Sequence, residues 1–245
     1  RINLLPCPEV SADTGVCVFD MIDYFQIQSE TRRVNFLGRG TYNVNDNGLR
    51  AYTELGFFTS KVESIGTPGG LNDSGVFDPA NPATPVVHTT VLPAGHPDNP
   101  TGADRPLSLL TTMLGGRNGL QESEVFRGIV GLNGIVKEDW NWDVGAGYIR
   151  SELEDTNTGF VRQPVIQEAL DNFTFRVDPA LNSPELLAAI SPALKRKPRS
   201  SVALIDGTIP GSLWDLGGGP LGAAFGAEYR TEKTDTPPVP FTDTA

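Results

Sequence analysis

The sequence predicts an all-β protein: an antiparallel up-and-down transmembrane β-barrel segment of about six strands in three hairpins, carrying long extracellular loops. Three observations predict it. Six stretches alternate bulky apolar residues with glycyl, small or polar ones at a period of two, the period of a strand. The joints between them are by turns short and very long. No run of about 18 apolar residues occurs, so the sequence holds no transmembrane helix, and barrel strands require none.

The 245 residues include 27 glycines and 20 prolines, with 38% hydrophobic and 20% charged residues, which suffices for one large domain. A mean hydropathy of -0.20 does not argue against a barrel, whose strands are half polar. The net charge of -11 argues against non-specific nucleic-acid binding, which needs a basic surface. The chain starts at Arg1, without an initiator methionine or signal peptide, and reads as a processed product or an excised piece.

Residues 1–31 are irregular. Cys7 and Cys17 flank a short loop with no histidine nearby, which favours a disulfide-closed loop in an oxidising compartment over two unrelated thiols or a zinc site. The first strand is expected over residues 33–44, with Val34, Phe36, Tyr42 and Val44 on one face and Arg33, Asn35, Arg39, Thr41 and Asn43 on the other. Asn45-Asp46-Asn47-Gly48 supplies residues that tolerate positive φ for a tight turn. The return strand, 49–62, sets Leu49, Ala51, Leu55 and Phe57 against Arg50, Glu54 and Ser60, with Tyr52 and Phe58 breaking the polar row.

An insertion from 63 to 123 follows, rich in Gly, Pro, Asn, Asp and Thr, with one helical turn expected between Leu107 and Leu114. The central hairpin comes next, over 124–135 and 140–152, joined at Val136–Asp139. Its return arm is the cleanest: Trp140, Trp142, Val144, Ala146 and Tyr148 against Asn141, Asp143, Gly145 and Gly147. Residues 152–200 form a second long insertion, with a helix expected from Pro184 behind a Ser183 cap, and a basic knot at Lys195, Arg196, Lys197 and Arg199. The third hairpin, 201–213 and 221–232, is joined by a WDLGGGP turn beginning at Trp214. Its last strand sets Leu221, Ala223, Phe225, Ala227 and Tyr229 against Gly222, Ala224, Gly226, Glu228 and Arg230.

The short joints share one end and the long loops the other. Trp140, Trp142 and Trp214 fall at the short-turn end, where an interfacial aromatic girdle belongs. Arg39, Glu54, Arg127, Glu228 and Arg230 are expected to face a lumen and to form cross-strand charge pairs.

Taken in order, FLGRGTYNVNDNGLRAYTELGFF, VFRGIVGLNGIVKEDWNWDVGAGYIRSE and LIDGTIPGSLWDLGGGPLGAAFGAEYRTE resemble the barrel of TonB-dependent outer-membrane receptors of Gram-negative proteobacteria. The likeness covers roughly residues 33–62 and 124–232; the long loops match in character only. The resemblance implies a barrel of about 22 strands with a plugged lumen. It implies active import of a scarce nutrient in the siderophore, saccharide or peptide class. The implied partners are the TonB complex, lipopolysaccharide and lipid, and a small nutrient ligand, with no nucleic acid and no cofactor. The plug domain, the TonB box and the aromatic C-terminal strand of that family are not in this chain, which therefore reads as an internal barrel segment.

Catalytic chemistry finds little footing. His88 and His96 lack the carboxylate or cysteine companions of a metal site and read as scattered loop residues. Glu152, Glu154 and Asp155 lack calcium-loop spacing and read as a solvated loop. Ser151 and Ser201 have no nucleophile-elbow context, and Gly217–Gly219 no following Lys-Ser/Thr. Two other readings compete: a passive porin, and a soluble β-rich binding or adhesion module. The latter would bury Trp140, Trp142, Phe225 and Tyr229 between two sheets.

Overall fold

The computed structural model describes residues 9–13, 15, 17–71, 74–76, 86–137 and 140–241, with side chains left undescribed at 9, 17, 74–76 and 86–88. The proposed disulfide falls on Cys7 and on the side chain of Cys17, both outside the described residues. The side chain of His88 lies outside them too.

All six alternating stretches are strands, each longer than the pattern alone suggested. They are β1 (Glu30–Asn43), β2 (Arg50–Ser64), β3 (Gly119–Lys137), β4 (Trp140–Asn157), β5 (Arg199–Leu216) and β6 (Gly219–Asp235). Each pairs antiparallel with its chain neighbour, giving the spatial order β6-β5-β4-β3-β2-β1, and a short strand, Leu194–Arg196, extends β5's place beside the end of β4. Strands of 14 to 19 residues far exceed the usual 5 or 6 or so of globular sheets. The sheet is not closed among the described residues: β1 and β6 each keep one unpaired edge.

The turns follow their residue chemistry. At the β1–β2 turn the Asn45 carboxamide oxygen accepts from the backbone N–H of Asn47 and Leu49, both at 3.1 Å, and Gly48 takes φ of 87°. At the β5–β6 turn Trp214 is not a turn residue, contrary to the sequence expectation. The strand continues through Leu216 across a bulge between Ser212 and Trp214, and only Gly217 and Gly218 turn. A bulge inserts one residue without breaking pairing, which the pattern of side chains alone does not reveal.

The long insertions are not structureless. The described residues of 65–118 and 158–198 pack together into one cap at the end of the sheet. Its core, which is the hydrophobic core of the described chain, contains Leu71, Leu92, Leu107, Ile166, Leu170, Phe175 and Ile190. Helix α1 (Gln163–Asp171) presents Ile166, Ala169 and Leu170 to it at helical spacing. Helix α2 (Pro184–Ile190) starts as expected, the Ser183 hydroxyl accepting from Leu186 N–H at 3.2 Å. The helical turn expected near Leu107–Leu114 is a 3-10 turn at Thr112–Leu114.

Polar contacts bind the two insertions to each other. The Gln167 carboxamide accepts from Val91 N–H at 2.8 Å and donates to Val91 carbonyl at 3.0 Å, copying a strand pairing with one side chain. His96, 2% exposed, is filled on both ring nitrogens: Nε2 donates to the Phe175 carbonyl at 2.8 Å and Nδ1 accepts from Asp98 N–H at 3.1 Å. Asp98 takes Arg176 through both carboxylate oxygens and accepts from Val177 N–H at 2.8 Å. His96 is thus a packed cap residue with both ring nitrogens hydrogen-bonded.

The hydrogen bonds from Arg176, then the one from Val177, hold the Asp98 carboxyl below its ordinary value of 3.8 against the opposing effect of burial. A depressed folded-state pKa contributes stability that is present above the unfolded value and lost as pH falls through the folded one. The cap is therefore expected to loosen below about pH 4. Amide exchange at 65–118 and 158–198 should rise there before that of the six strands, and Asp98→Asn should remove much of the pH dependence. Equal acid sensitivity in Asp98→Asn would exclude this origin.

Candidate membrane-facing surface

The alternation divides the sheet into two faces of opposite character. One carries Val34, Phe36 and Tyr42 on β1, Leu55 and Phe57 on β2, and Phe126, Val130 and Leu132 on β3. It continues with Val144 and Tyr148 on β4, Ile205 and Ile209 on β5, and Phe225 and Tyr229 on β6. All of these are exposed: Val130 58%, Phe225 64%, Tyr229 72%. The other face carries glycines, polar groups and charges and is the more shielded over β2 to β5, with Ser60 and Gly145 buried. The arrangement inverts that of a water-soluble sheet, which buries its bulky face.

The accessible surface makes the same point as a quantity. It totals 16506 Å² for 26.3 kDa. A folded water-soluble monomer of that mass exposes roughly 10,600 Å².

The apolar face is bounded, and its boundary is slanted. Toward the cap it gives way to charge: Arg32, Lys61, Glu124, Glu152, Arg150 and Arg199. Below these charges the apolar band begins on β1 to β6 at Val34, Phe57, Phe126, Tyr148, Ala203 and Tyr229. Tyr229 shares its register row with Ile205, Ala146, Val130, Thr53 and Gly40, and Gly40 lies six residues along β1 from Val34. The boundary thus moves six residues over five strand-to-strand steps. At about 3.3 Å per residue and about 4.8 Å between strands, that slope corresponds to a tilt of about 40°. Strands of closed membrane barrels tilt by about 35–45°. With that foreshortening, the ten steps from Phe126 to Val136 on β3 span about 25 Å, the height of a barrel's apolar band.

Glycines on both faces make room for aromatic rings. On the polar face the Tyr52 ring lies over Gly131 and reaches Gly145, while its hydroxyl donates to Asp143 at 2.8 Å. One side chain thereby ties β2, β3 and β4. A Cβ at Gly131 would collide with the ring, so the glycine is required by the close approach. On the apolar face Trp140 lies over Gly211 and stacks on Phe225 at 6.4 Å, its indole N–H donating to the Ser212 carbonyl at 3.1 Å. Trp142 covers Gly134 in the same way. Trp214 is 65% exposed. All three tryptophans thus stand at the short-turn end. Two of them are half-covered by cross-strand packing, which tertiary register alone creates.

The five predicted charges all sit on the polar face. Glu54 and Arg127 form the expected cross-strand pair at 2.8 Å. Arg39 stands opposite Glu54 in register. Arg230 departs from the expectation: it pairs along its own strand, with Glu232 at 3.1 Å and Glu228 at 3.8 Å, because β6 is an edge and has a neighbour on one side only. The solvated-loop reading of Glu152, Glu154 and Asp155 is also corrected. They lie in β4, and Asp155 is 4% exposed beneath Arg196 at 2.9 Å. The basic knot folds back along this acidic run, with Lys197 on Glu154 at 2.8 Å and Arg199 on Glu152 at 3.7 Å. Register supplies what the spacing did not: Asp155 is the pairing partner of Arg196.

Among the described residues no cluster of three or more His, Cys, Asp or Glu is arranged to hold a metal, and no helix is long and apolar enough to cross a membrane. No protein-family model, curated protein or solved structure matches the chain.

Proposed function

We propose that this chain is a section of an outer-membrane β-barrel belonging to a TonB-energised receptor that imports a scarce nutrient. The observation that carries the barrel is the slanted apolar band, whose slope and height agree with tilted strands crossing a bilayer. The alternation of tight turns with long capped insertions, and the ordered likeness of the strand sequences to TonB-dependent receptors, supply the rest of the reading. The exposure of Phe225 and Tyr229 speaks against a soluble module with those rings in its core.

Lipid cannot satisfy the open edges of β1 and β6, so this reading requires further strands to pair with both. The polar face then lines the lumen and the cap lies on the extracellular side. The nutrient belongs to the siderophore, saccharide or peptide class, and the whole receptor takes its energy from the TonB complex.

The test uses the intact protein in washed outer membranes. The reading expects a band that migrates differently before and after boiling, and nutrient uptake that stops when the inner-membrane proton gradient is dissipated. Extraction by carbonate with no heat-dependent shift would refute the barrel. A heat-dependent shift with gradient-independent uptake would leave a passive porin instead.

A further inference from the structure

Asn-Gly pairs carry a chemistry of their own. A deprotonated glycyl nitrogen attacks the carboxamide carbon of the preceding asparagine, because no Cβ shields it. Three such pairs occur in the sequence: Asn47-Gly48, Asn118-Gly119 and Asn133-Gly134. The fold places them in unlike surroundings.

Gly134 is buried, pairs with Trp142 in the β3–β4 ladder and lies under the Trp142 indole. Gly119 is paired on both sides, with Ser64 and with Asn157, and its carbonyl accepts from the Ser64 hydroxyl at 3.2 Å. The Asn118 carbonyl accepts from Thr158 N–H at 2.9 Å. Attack at either pair first requires the ladder to open. Asn47-Gly48 lies instead in the exposed β1–β2 turn, beyond the last ladder pair, Asn43 with Arg50. The hydrogen bonds of that turn use the N–H groups of Val44, Asn47 and Leu49. Among the described residues neither Gly48 N–H nor the Asn47 carboxamide enters a hydrogen bond. The nucleophile and its target are therefore adjacent, hydrated and uncommitted.

We propose that Asn47-Gly48 is a self-modification site, at which Asn47 is converted through a cyclic imide to aspartate and isoaspartate. Hydroxide takes the proton from the Gly48 nitrogen. That nitrogen bonds to Cγ of Asn47, the Cγ–Nδ2 bond breaks, and Nδ2 leaves as ammonia with a proton from water. Water then opens the imide. Addition at Cγ breaks the new C–N bond and leaves aspartate. Addition at the backbone carbonyl breaks the original peptide bond and leaves isoaspartate, with the main chain running through Cγ. Either product adds a negative charge beside Asp46.

Isoaspartate also lengthens the main chain of a turn with little slack. Val44 N–H donates to the Leu49 carbonyl at 2.8 Å, and a Cβ built on Gly48 would stand 3.1 Å from Ile135 Cδ1. The end of the β1–β2 hairpin is thus expected to loosen as the protein ages. The inference stands whether or not the sheet belongs to a barrel.

The intact protein in neutral detergent, aged in mildly alkaline buffer and mapped by peptide mass spectrometry with isoaspartyl methyltransferase labelling, tests this. Asn47 should gain the mass of an amide-to-acid change at least about tenfold faster than Asn118 and Asn133, whose ladders must open first. The rate should rise with pH, and the methyl label should fall on position 47. In urea the three pairs should react alike. Asn47→Gln, whose longer side chain would have to close a larger ring, should stay unmodified over the same period. In the modified fraction the Val44 amide should exchange faster while those of β4 keep their protection. Equal rates at the three pairs in the folded protein would overturn the proposal, as would an Asn47 that stays intact. A preference for Asn47 that persists in urea would assign it to local sequence and not to the fold. An unaltered Val44 amide in the modified fraction would overturn the loosening of the hairpin.

Discussion

Val130→Arg is expected to cost the intact protein about 2–4 kcal/mol of folding stability in a phosphatidylcholine bilayer. Val130 lies within the apolar band, flanked in register by Thr53 and Ala146, and projects from the apolar face. If that face meets hydrocarbon, the guanidinium must be drawn from water into lipid or distort the bilayer to stay wet. If the face meets water, the substitution replaces an exposed valine with an exposed arginine and should stay within about 0.5 kcal/mol. Two controls bracket it. Asn133→Arg on the polar face and Glu124→Arg outside the band should both change stability little. Equilibrium urea unfolding of the reconstituted protein reads all three, and a small effect at Val130 would remove the lipid from the account.

Phe175→Ala should cost about 3–5 kcal/mol, felt in the cap alone. Phe175 is among the largest fully buried side chains, and its carbonyl also receives the His96 ring N–H. The core it fills is separate from the sheet, whose apolar face exposes Phe57, Val130, Ile205 and Tyr229. The expected signature is local: amides in 65–118 and 158–198 exchange faster while those of β1 to β6 keep their protection. Gly159→Ala should act on the same unit from its stem. Gly159 takes φ of 77°, and a Cβ there would meet the Gly116 carbonyl and come within 3.0 Å of Arg117 Cα. Loss of protection across the strands in step with the cap would show that the two fold as one unit.

The strands were legible because their signal is local. A period of two with bulky residues on one side survives any uncertainty about neighbours, and the Asn-rich and Gly-rich joints mark where the chain reverses. What resisted sequence reading depends on register. Tyr52 looks like a defect in a polar row until the pairing sets Gly131 and Gly145 beside it, after which it is the ring those glycines accommodate. Asp155 and Arg196 lie 41 residues apart, and the guanidinium covers the buried carboxylate only where Leu194–Arg196 docks on β4. The cap was hidden for a different reason. Its insertions are rich in Gly, Pro and Asn, yet a few well-spaced apolar residues, such as Ile166, Ala169 and Leu170 on α1, suffice when two insertions share one core. The signal was available: Pro164 at a helix start, followed by apolar residues at helical spacing, is the same pattern that located α2.

The most direct test of the account is spin-label accessibility on the intact protein in lipid vesicles. Single labels would be placed at Val34, Phe36, Phe57, Phe126, Val130, Val144, Ser201, Ala203, Ile205, Tyr229 and Lys233, with Asn133 and Gly226 as polar-face partners. The account predicts that apolar-face labels below the boundary collide with oxygen and are shielded from a water-soluble nickel chelate. The onset of shielding should follow the slant from Val34 on β1 to Tyr229 on β6, so that labels at Ser201 and Lys233 meet the chelate while Phe36 and Phe57 in the same register row do not. Chelate access to Val130 and Ile205 equal to that at Ser201 would contradict it, because the apolar face would then be a water-exposed surface.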